Sequence, residues 1–421
     1  MQTLIDKLTA GVYDTQLCAL YPQQGERRER YLRAAQGFCA CFGDRADYMA
    51  VSAPGRTEIG GNHTDHNQGR VLAGAVDMDA IALCAKQDNG EITVCSEGFP
   101  SIRLNIDSLA PREEERETSA ALVRGIVAYL RARGRRIGGF CAYTANNVKK
   151  GSGLSSSAAF EVLIACVLSN LYNEGSIPAQ ELALCGRYAE NEYFGKPCGL
   201  MDQLASAVGG FVAMDFADAS NPLVTPIDLR FEDTGHALCT VDVKSSHGDL
   251  TDDYAAIPHE MRAVAQVFGC AALREVEANA FYADIARVRK ICGDRAVLRA
   301  LHFFEEDQRA AQEAEALRSG DFEAFLCLVR ESGRSSAMYL QNIYVPGATR
   351  AQAMMLALGC SERLLCGRGA CRVHGGGFAG TIQAFVPMDL LESYRAGIEA
   401  VYGRGSCHTL SIRAKGAVRV F

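Results

Sequence analysis

The stretch Gly151-Ser152-Gly153-Leu154-Ser155-Ser156-Ser157-Ala158-Ala159 leads directly into a segment, 155–172, that is apolar around nearly its whole circumference. This pattern predicts a buried helix preceded by a turn whose glycines let a ligand approach the backbone closely. The first amides of a helix have no partner inside the helix and carry the positive end of its dipole, so phosphate is their natural ligand. We therefore expect this loop to cradle nucleotide phosphates. The alternative is a helix start that serine caps, without a ligand.

A second polar stretch, Ala53 to Asn67, lies among strand-like runs. Arg56 offers a fixed positive charge for a phosphate or for orienting a carboxylate, and Asp65 can accept two hydrogen bonds from sugar hydroxyls. His63 and His66 raise zinc as an alternative ligand, because His-x-Asp-His contains ligand types that zinc accepts. The stretch therefore predicts a polar binding site, with the ligand class left open at this point.

A third segment, Val373 to Gly380, contains three successive glycines immediately before a predicted strand. Such a run indicates close approach of the backbone to a ligand or unusual backbone dihedrals. A hairpin turn is the alternative interpretation. The segment carries little information when it is taken alone.

Length and composition restrict the class of protein. The chain has 421 residues, a net charge of -7 and 17 cysteines. That length predicts two domains. The negative charge argues against a nucleic-acid partner, and no apolar run approaches the roughly 20 residues needed to cross a bilayer. An odd number of cysteines in a long chain predicts free thiols in a reducing compartment, so we expect a cytoplasmic protein.

The order of predicted elements suggests an α+β fold. We predict an N-terminal helical cover over residues 1–45, a sugar- and phosphate-binding domain over 46–220 and a C-terminal domain over 221–421. The boundary rests on Asp218-Ala219-Ser220-Asn221-Pro222, whose composition is typical of a turn or linker.

Taken together and in this order, the three segments resemble the signature motifs of the small-molecule kinase superfamily that contains galactokinase, homoserine kinase, mevalonate kinase and phosphomevalonate kinase. Pro54-Gly55-Arg56 followed by His63-Thr64-Asp65 is similar to the galactokinase signature. Pro197-Cys198-Gly199-Leu200-Met201-Asp202-Gln203 resembles the galactokinase segment that carries the catalytic aspartate. The resemblance implies a ribosomal-protein-S5-domain-2-like N-terminal half and a ferredoxin-like C-terminal half, with the active site between them.

The resemblance also implies roles for the reacting residues. Asp202 would be the base near the anomeric hydroxyl of a sugar, and Arg56 would keep Asp202 ionised and stabilise the transferring phosphoryl group. Ser157 and Glu190 would be ligands of Mg²⁺, although Glu192 is an alternative to Glu190. Helix capping is the alternative for Asp202.

The binding residues follow from the same resemblance. The sugar pocket would be lined by Asn62, His63, Asp65, Gly199 and Tyr254, although ordinary packing is the alternative for Tyr254. The residues expected to contact ATP are Gly151, Ser152, Gly153, Leu154, Ser155, Ser156, Ser157, Gly376 and Gly377. We expect a monomer that binds ATP and a small sugar, with no membrane partner.

Departures from the family pattern leave the sugar open. Asn62 stands where galactokinases usually carry the glutamate that binds the 6-hydroxyl of the sugar, and Glu58-Ile59-Gly60 replaces an Asn-Leu-Ile type of run. A neutral amide would tolerate a carboxylate at C6, which a glutamate would repel. Galactokinase activity is the primary hypothesis. A kinase for galacturonate, another C6-modified sugar or a pentose is the second, a catalytically silent galactose and ATP sensor is the third, and a decarboxylase of the same superfamily ranks lowest.

Overall fold

Two β-sheets organise the chain, and helices pack on both of them, which confirms the predicted α+β class. A computed structural model describes residues 3–21, 25–148, 153–196, 198–245 and 250–421. Within these ranges, the protein has no helix that is both long and apolar enough to cross a membrane.

The first sheet has eight strands in the order β12-β1-β2-β5-β3-β4, with β6 paired to β2 and β7 paired to β6. Its pairs are antiparallel except that of β3 with β5, which is parallel. The strands are β1 (Met49–Gly60), β2 (Arg70–Gln87), β3 (Glu91–Ser96), β4 (Phe99–Asn105), β5 (Gly139–Asn146), β6 (Phe211–Asp215), β7 (Leu223–Ile227) and β12 (Val418–Arg419).

The second sheet has four antiparallel strands in the order β11-β8-β10-β9. These are β8 (His236–Asp242), β9 (Ala370–His374), β10 (Thr381–Pro387) and β11 (Cys407–Leu410). The third glycine-rich segment therefore forms the connection between β9 and β10. This small antiparallel sheet with helices beside it is the architecture expected for the C-terminal half.

The helices fall into three groups by position in the chain. The N-terminal helices are α1 (Leu4–Thr9), α2 (Asp14–Leu20) and α3 (Arg27–Phe42). The next four are α4 (Ser119–Ala132), α5 (Ser156–Tyr172), α6 (Ala179–Tyr188) and α7 (Met201–Val208). The last seven are α8 (Thr251–Val267), α9 (Ala278–Ala283), α10 (Ile285–Cys292), α11 (Asp294–Ser319), α12 (Phe322–Ser335), α13 (Ala353–Leu365) and α14 (Leu391–Tyr402).

The first sheet is buried on both faces, because its strands place apolar residues on each side with period two. Ile81 and Leu83 of β2 pack in one cluster with the buried side chains of α1, α2 and α3. Ala80, Ala82 and Cys84 point to the other face, where they join the core formed with α4, α5 and α7. Helix α5 is buried nearly all round, as its sequence predicts.

The predicted domain ranges stay predictions, and two strand pairings bear on them. Strand β7 follows the predicted boundary at residue 220 but pairs with β6 of the first sheet. At the end of the chain, β12 returns to pair with β1. Both ends of the C-terminal range thus contribute strands to the first sheet.

A buried carboxylate on β2 binds residues from both the N-terminal and the C-terminal parts of the chain. Asp79 of β2 has no exposed surface and accepts hydrogen bonds from Tyr21, Arg30 and Ser52. Arg413, which lies between β11 and β12, adds an ion pair to Asp79 with an N–O distance of 2.9 Å. Burial alone would raise the pKa of Asp79, but the two arginines lower it below its usual value. The N-terminal helical segment and the C-terminal segment are therefore both held by interactions with the Asp79 carboxylate.

We expect Arg413→Met to destabilise the protein by about 3 to 5 kcal/mol, because it leaves a buried carboxylate with one cation instead of two. Urea unfolding followed by circular dichroism measures the change. Arg419→Met is the matched control, since this arginine is exposed on β12 and should cost less than about 0.5 kcal/mol. Equal losses for both variants would contradict the role of Arg413.

Candidate functional site

Arg56 of β1 connects two of the segments singled out in the sequence. Its Nε donates to Asp202 Oδ1 over 2.6 Å, and its Nη1 donates to the carbonyl oxygen of Gly153. Its backbone amide donates to the carbonyl of Leu154 over 3.0 Å. The side chain is only 8% exposed. One buried guanidinium therefore fixes the glycine- and serine-rich loop relative to Asp202.

Asp202 lies in the first turn of α7. Burial alone would raise the pKa of Asp202, but the ion pair with Arg56 and the hydrogen bonds from Arg56 and Ser155 lower it below the usual value of 3.8. The carboxylate is therefore ionised at neutral pH and can accept a proton from a hydroxyl.

The loop before α5 holds Ser155 in a left-handed conformation, with φ 56° and ψ 65°. Non-glycine residues adopt this conformation rarely, and such positions cluster at functional sites. The Ser155 hydroxyl donates to Asp202. Ser156 and Ser157 then begin α5, where their amides belong to the unpaired first turn. Gly151 and Ser152, two of the predicted ATP contacts, lie outside the described residues.

Gly153 lies against the third segment. Its φ is +72°, and a Cβ on it would meet His374 Nδ1 and Thr381 Oγ1 at 2.6 Å, so a larger residue would be strained and crowded. His374 is buried, and its ring nitrogens hydrogen-bond to the hydroxyls of Thr57 and Thr381 at 3.0 Å. Sequence reasoning missed His374, although its position directly before the three glycines was a signal.

Tyr254 of α8 reaches the same glycines. Its hydroxyl donates to the carbonyl of Gly377 over 2.7 Å, and a Cβ on Gly376 would meet its ring at 2.6 Å. The ring packs edge-on against Phe378. Burial raises the pKa of Tyr254 to about 12, so the hydroxyl stays a donor at neutral pH.

Asp65 and Gly199 also meet. A Cβ on Gly199 would overlap the Asp65 carboxylate, so glycine at 199 leaves room for that side chain. His63, two residues before Asp65, has φ 62°, and its Nε2 hydrogen-bonds to the carbonyl of Gly376 over 2.9 Å. The structure thus brings Asp65 next to the segment that carries Asp202, and His63 next to the third segment.

Most of these residues, but not His63, Asp65 or Gly199, line a cavity of about 260 Å³ between the two halves of the chain. The described lining residues are Arg56, Gly153, Leu154, Ser155, Ser156, Ser157, Lys196, Asp202, Tyr254, His374, Gly375, Gly376, Gly377, Ala379, Gly380 and Thr381. All three segments contribute to it. The predicted site between the halves therefore has a cavity with both cationic and anionic side chains.

Asn62 is a predicted site residue that the structure does not bring into this cavity. Its side chain is fully buried, and its amide donates to Glu58 Oε1 and to the carbonyl of Gly375, each over 2.8 Å. Its carbonyl oxygen accepts from Asn342 over 2.7 Å. Glu58 in turn pairs with buried Arg372 over 2.8 Å. In this geometry the donors of the Asn62 amide are used inside the protein, and a role of residue 62 toward the C6 group of a sugar stays a prediction.

Glu190 lies on a π-helical turn, Ala189–Phe194, and is buried, whereas Glu192 is exposed. Its Oε2 accepts from Gln203 over 3.2 Å, and its Oε1 lies 3.5 Å from Lys196 Nζ. In the described part of the chain, no group of three or more His, Cys, Asp or Glu side chains is placed to hold a metal. Lys196 was also missed, although it precedes the segment that carries Asp202.

Two family models match the chain. The model of the GHMP kinases N-terminal domain matches residues 121–210, which include the loop, Glu190 and Asp202. The model of the galactokinase galactose-binding signature matches residues 36–86, which include Arg56, His63 and Asp65. The two matches thus cover the first two of the three segments that meet at the cavity, and the third segment lies outside both.

Solved structures share the fold. Galactokinase of Lactococcus lactis, crystallised with galactose, is 24% identical with a TM-score of 0.78, and the match covers 91% of this chain and 98% of that one. Mevalonate kinase of Methanococcus jannaschii is 15% identical with a TM-score of 0.60, over 87% and 99% of the two chains. Phosphomevalonate kinase of Streptococcus pneumoniae, in complex with phosphomevalonate and AMPPNP, is 13% identical with a TM-score of 0.58, over 88% and 99%.

At these identities the structural likeness establishes the two-domain fold, and the family models add the sequence signatures of the site. Residues 121–210 therefore form a GHMP-kinase N-terminal domain, residues 36–86 carry a galactokinase-type galactose-binding segment, and together these matches support an ATP-dependent phosphotransferase that acts on a sugar hydroxyl.

Proposed function

We propose that the protein is a galactokinase-type sugar 1-kinase, which converts ATP and D-galactose to ADP and galactose 1-phosphate. The observation that carries this proposal is the double engagement of Arg56, which contacts both Asp202 and the loop carbonyl of Gly153. Arg56 thereby holds the proposed base, Asp202, next to the proposed phosphate-binding loop. Phosphoryl transfer depends mainly on such positioning and on neutralising charge.

In the proposed reaction, the 1-hydroxyl oxygen of the sugar forms a bond to the γ-phosphorus of ATP. The bond between that phosphorus and the β–γ bridging oxygen breaks, and ADP leaves with the electron pair. Asp202 accepts the hydroxyl proton as the new bond forms, which is when the hydroxyl becomes acidic. Arg56 stabilises the charge on the transferring group.

The phosphates of ATP would lie at the start of α5, where the first amides of the helix have no helical partner and where Ser156 and Ser157 line the cavity. Gly376 and Gly377 also line the cavity, and side chains at these two positions would occupy part of it. We assign the remaining predicted ATP contacts, Gly151 to Ser155, to the same group. The hydroxyl of Ser155 favours a second role, since it already donates to Asp202.

Ser157 and Glu190 fit a magnesium ion by their chemistry. Ser157 is exposed at the start of α5, and buried Glu190 keeps Oε1 toward Lys196, a residue that lines the cavity. Mg²⁺ retains several waters and needs only one or two carboxylates besides phosphate oxygens, so a cluster of three protein ligands is unnecessary. When bound, the ion would neutralise phosphate charge.

We assign the sugar to Asp65, His63, Gly199 and Tyr254. Asp65 can accept two hydroxyl hydrogen bonds, and its contact with Gly199 places it close to the segment of Asp202. Tyr254 of α8 supports the pocket through the hydrogen bond that its hydroxyl donates to Gly377 of the third segment. The monomeric state and the cytoplasmic location stay predictions.

A second candidate substrate is a sugar altered at C6, such as galacturonate. The family pattern implies Asn at 58 and Glu at 62, and this chain carries the reverse, with Glu58 and Asn62 hydrogen-bonded to each other. The single carboxylate of this pair is neutralised by Arg372. The C6 group would then meet no carboxylate at residue 62, so a charged or absent C6 hydroxyl would be tolerated.

A sugar panel tests the function directly. With Mg-ATP, we expect the purified protein to form a sugar 1-phosphate from galactose or from galacturonate, measured by phosphorus NMR and by coupled release of ADP. Asp202→Asn should lower kcat by about 10³-fold, within the usual range for a general base, while ATP affinity is kept. Binding of sugar and ATP without turnover by the wild type would support a sensor instead.

Gly199→Ala tests the sugar pocket. The added Cβ overlaps the Asp65 carboxylate, so we expect KM for the sugar to rise by about ten- to a hundredfold with little change in KM for ATP. Gly359→Ala on α13 is the control, because a Cβ there meets no atom within 4 Å. Unchanged sugar KM in Gly199→Ala would remove Asp65 from the proposed pocket.

The exchanged pair at 58 and 62 gives a specificity test. Asn62→Glu alone should destabilise the protein, because two buried carboxylates would share Arg372. The double variant Glu58→Asn/Asn62→Glu keeps one carboxylate and should fold. We expect it to shift the kcat/KM ratio toward galactose over galacturonate by about tenfold or more, the usual effect of a polar group rematched to its substrate. An unchanged ratio in a folded double variant would exclude residue 62 as a determinant of C6 preference.

A further inference from the structure

Lys196 is a positively charged residue of the cavity that has no role in the proposed reaction. It lines the cavity together with Arg56, Ser157 and Asp202. Its ammonium lies 3.5 Å from Glu190 Oε1, and its side chain is 64% exposed, whereas that of Glu190 is 5% exposed. An exposed cation thus faces a buried anion at the edge of the site.

Glu190 needs this cation because of its surroundings. Gln203 donates one amide nitrogen to Glu190 Oε2 and to Glu161 Oε2, over 3.2 and 2.9 Å. Glu161 is itself fully buried. Two buried carboxylates therefore share one neutral donor, and an uncompensated buried charge is costly. Lys196 supplies the opposite charge at the remaining oxygen of Glu190.

The contact between Lys196 and Glu190 is weak enough for Lys196 to leave it for a stronger partner. A distance of 3.5 Å is at the long end for a hydrogen bond, and the Lys196 side chain is largely exposed, so water competes with Glu190 for its ammonium group. Phosphate oxygens form stronger, charge-assisted bonds with an ammonium group. A lysine on its flexible stem can follow the stronger partner.

Arg56 cannot perform this exchange. Among the described residues that line the cavity, Arg56 and Lys196 carry the fixed positive side-chain charges. Arg56 is buried and is already bound to Asp202 and to the Gly153 carbonyl. Lys196 is therefore the cation that has the freedom to move within the cavity.

We propose that Lys196 has two alternative partners. It balances the charge of Glu190 while the site is free of nucleotide, and it moves to the phosphate oxygens when a nucleotide binds. Release of Lys196 leaves Glu190 Oε1 open to a divalent cation. The inference rests on the proposed function, since it requires the cavity to take a nucleotide with its metal. No covalent bond changes in this exchange.

Lys196→Met tests both halves of the exchange in the full-length protein. Calorimetric titration with ADP in EDTA should show about tenfold weaker binding, the effect of losing one charge-assisted hydrogen bond. Electron paramagnetic resonance should show Mn²⁺ binding to the nucleotide-free protein several-fold more tightly, because Glu190 has lost its competing cation. Lys196→Arg should restore most of the ADP affinity. Lys290→Met on α10 is the control, since Lys290 is exposed and does not line the cavity.

Two results would overturn the inference. Equal ADP affinity of wild type and Lys196→Met in EDTA would show that Lys196 does not contact phosphate. Equal Mn²⁺ affinity, including binding by neither protein, would remove its role as the counter-charge of Glu190. If the wild type phosphorylates a sugar and Lys196→Met behaves like it in both assays, only this inference fails. If the wild type binds no ADP at all, the proposed function fails with it.

Discussion

The ion pair between Arg56 and Asp202 is the constraint on which the site depends. Arg56 is buried on a strand of the first sheet, and its guanidinium reaches both the carboxylate of α7 and a carbonyl of the loop before α5. A buried guanidinium that lost Asp202 would be an unpaired charge, which is strongly unfavourable. Folding of the sheet, the loop and α7 therefore converges on one arrangement, and that arrangement keeps Asp202 ionised.

The first sheet makes this pair possible because it is covered on both faces. The N-terminal helices bury one face and the helices from α4 to α7 bury the other, so β1 carries Arg56 into an environment with little water. In such surroundings electrostatic interactions are stronger than at a surface. The same strand carries Glu58 two residues later, on the same side of the pleat, where buried Arg372 balances it.

The sequence predicted the elements near the loop well. The helix expected at 155–172 is α5, Ser156–Tyr172, because its continuous apolar character has one stable location, the core. The apolar pattern of strand β2 is interrupted by Asp77 and Asp79. The structure satisfies Asp79 with Arg30 and Arg413, which are distant in sequence.

The sequence by itself determined the resemblance to the kinase motifs and the glycine- and serine-rich turn before the buried helix α5, because short-range signals such as glycines before an apolar helix reflect local geometry. Only the tertiary structure decided which polar side chains face the cavity. Asn62 lies one residue before His63, yet its amide is used up by Glu58, Gly375 and Asn342. The partners of a buried polar group come from distant parts of the chain, so local sequence cannot reveal them.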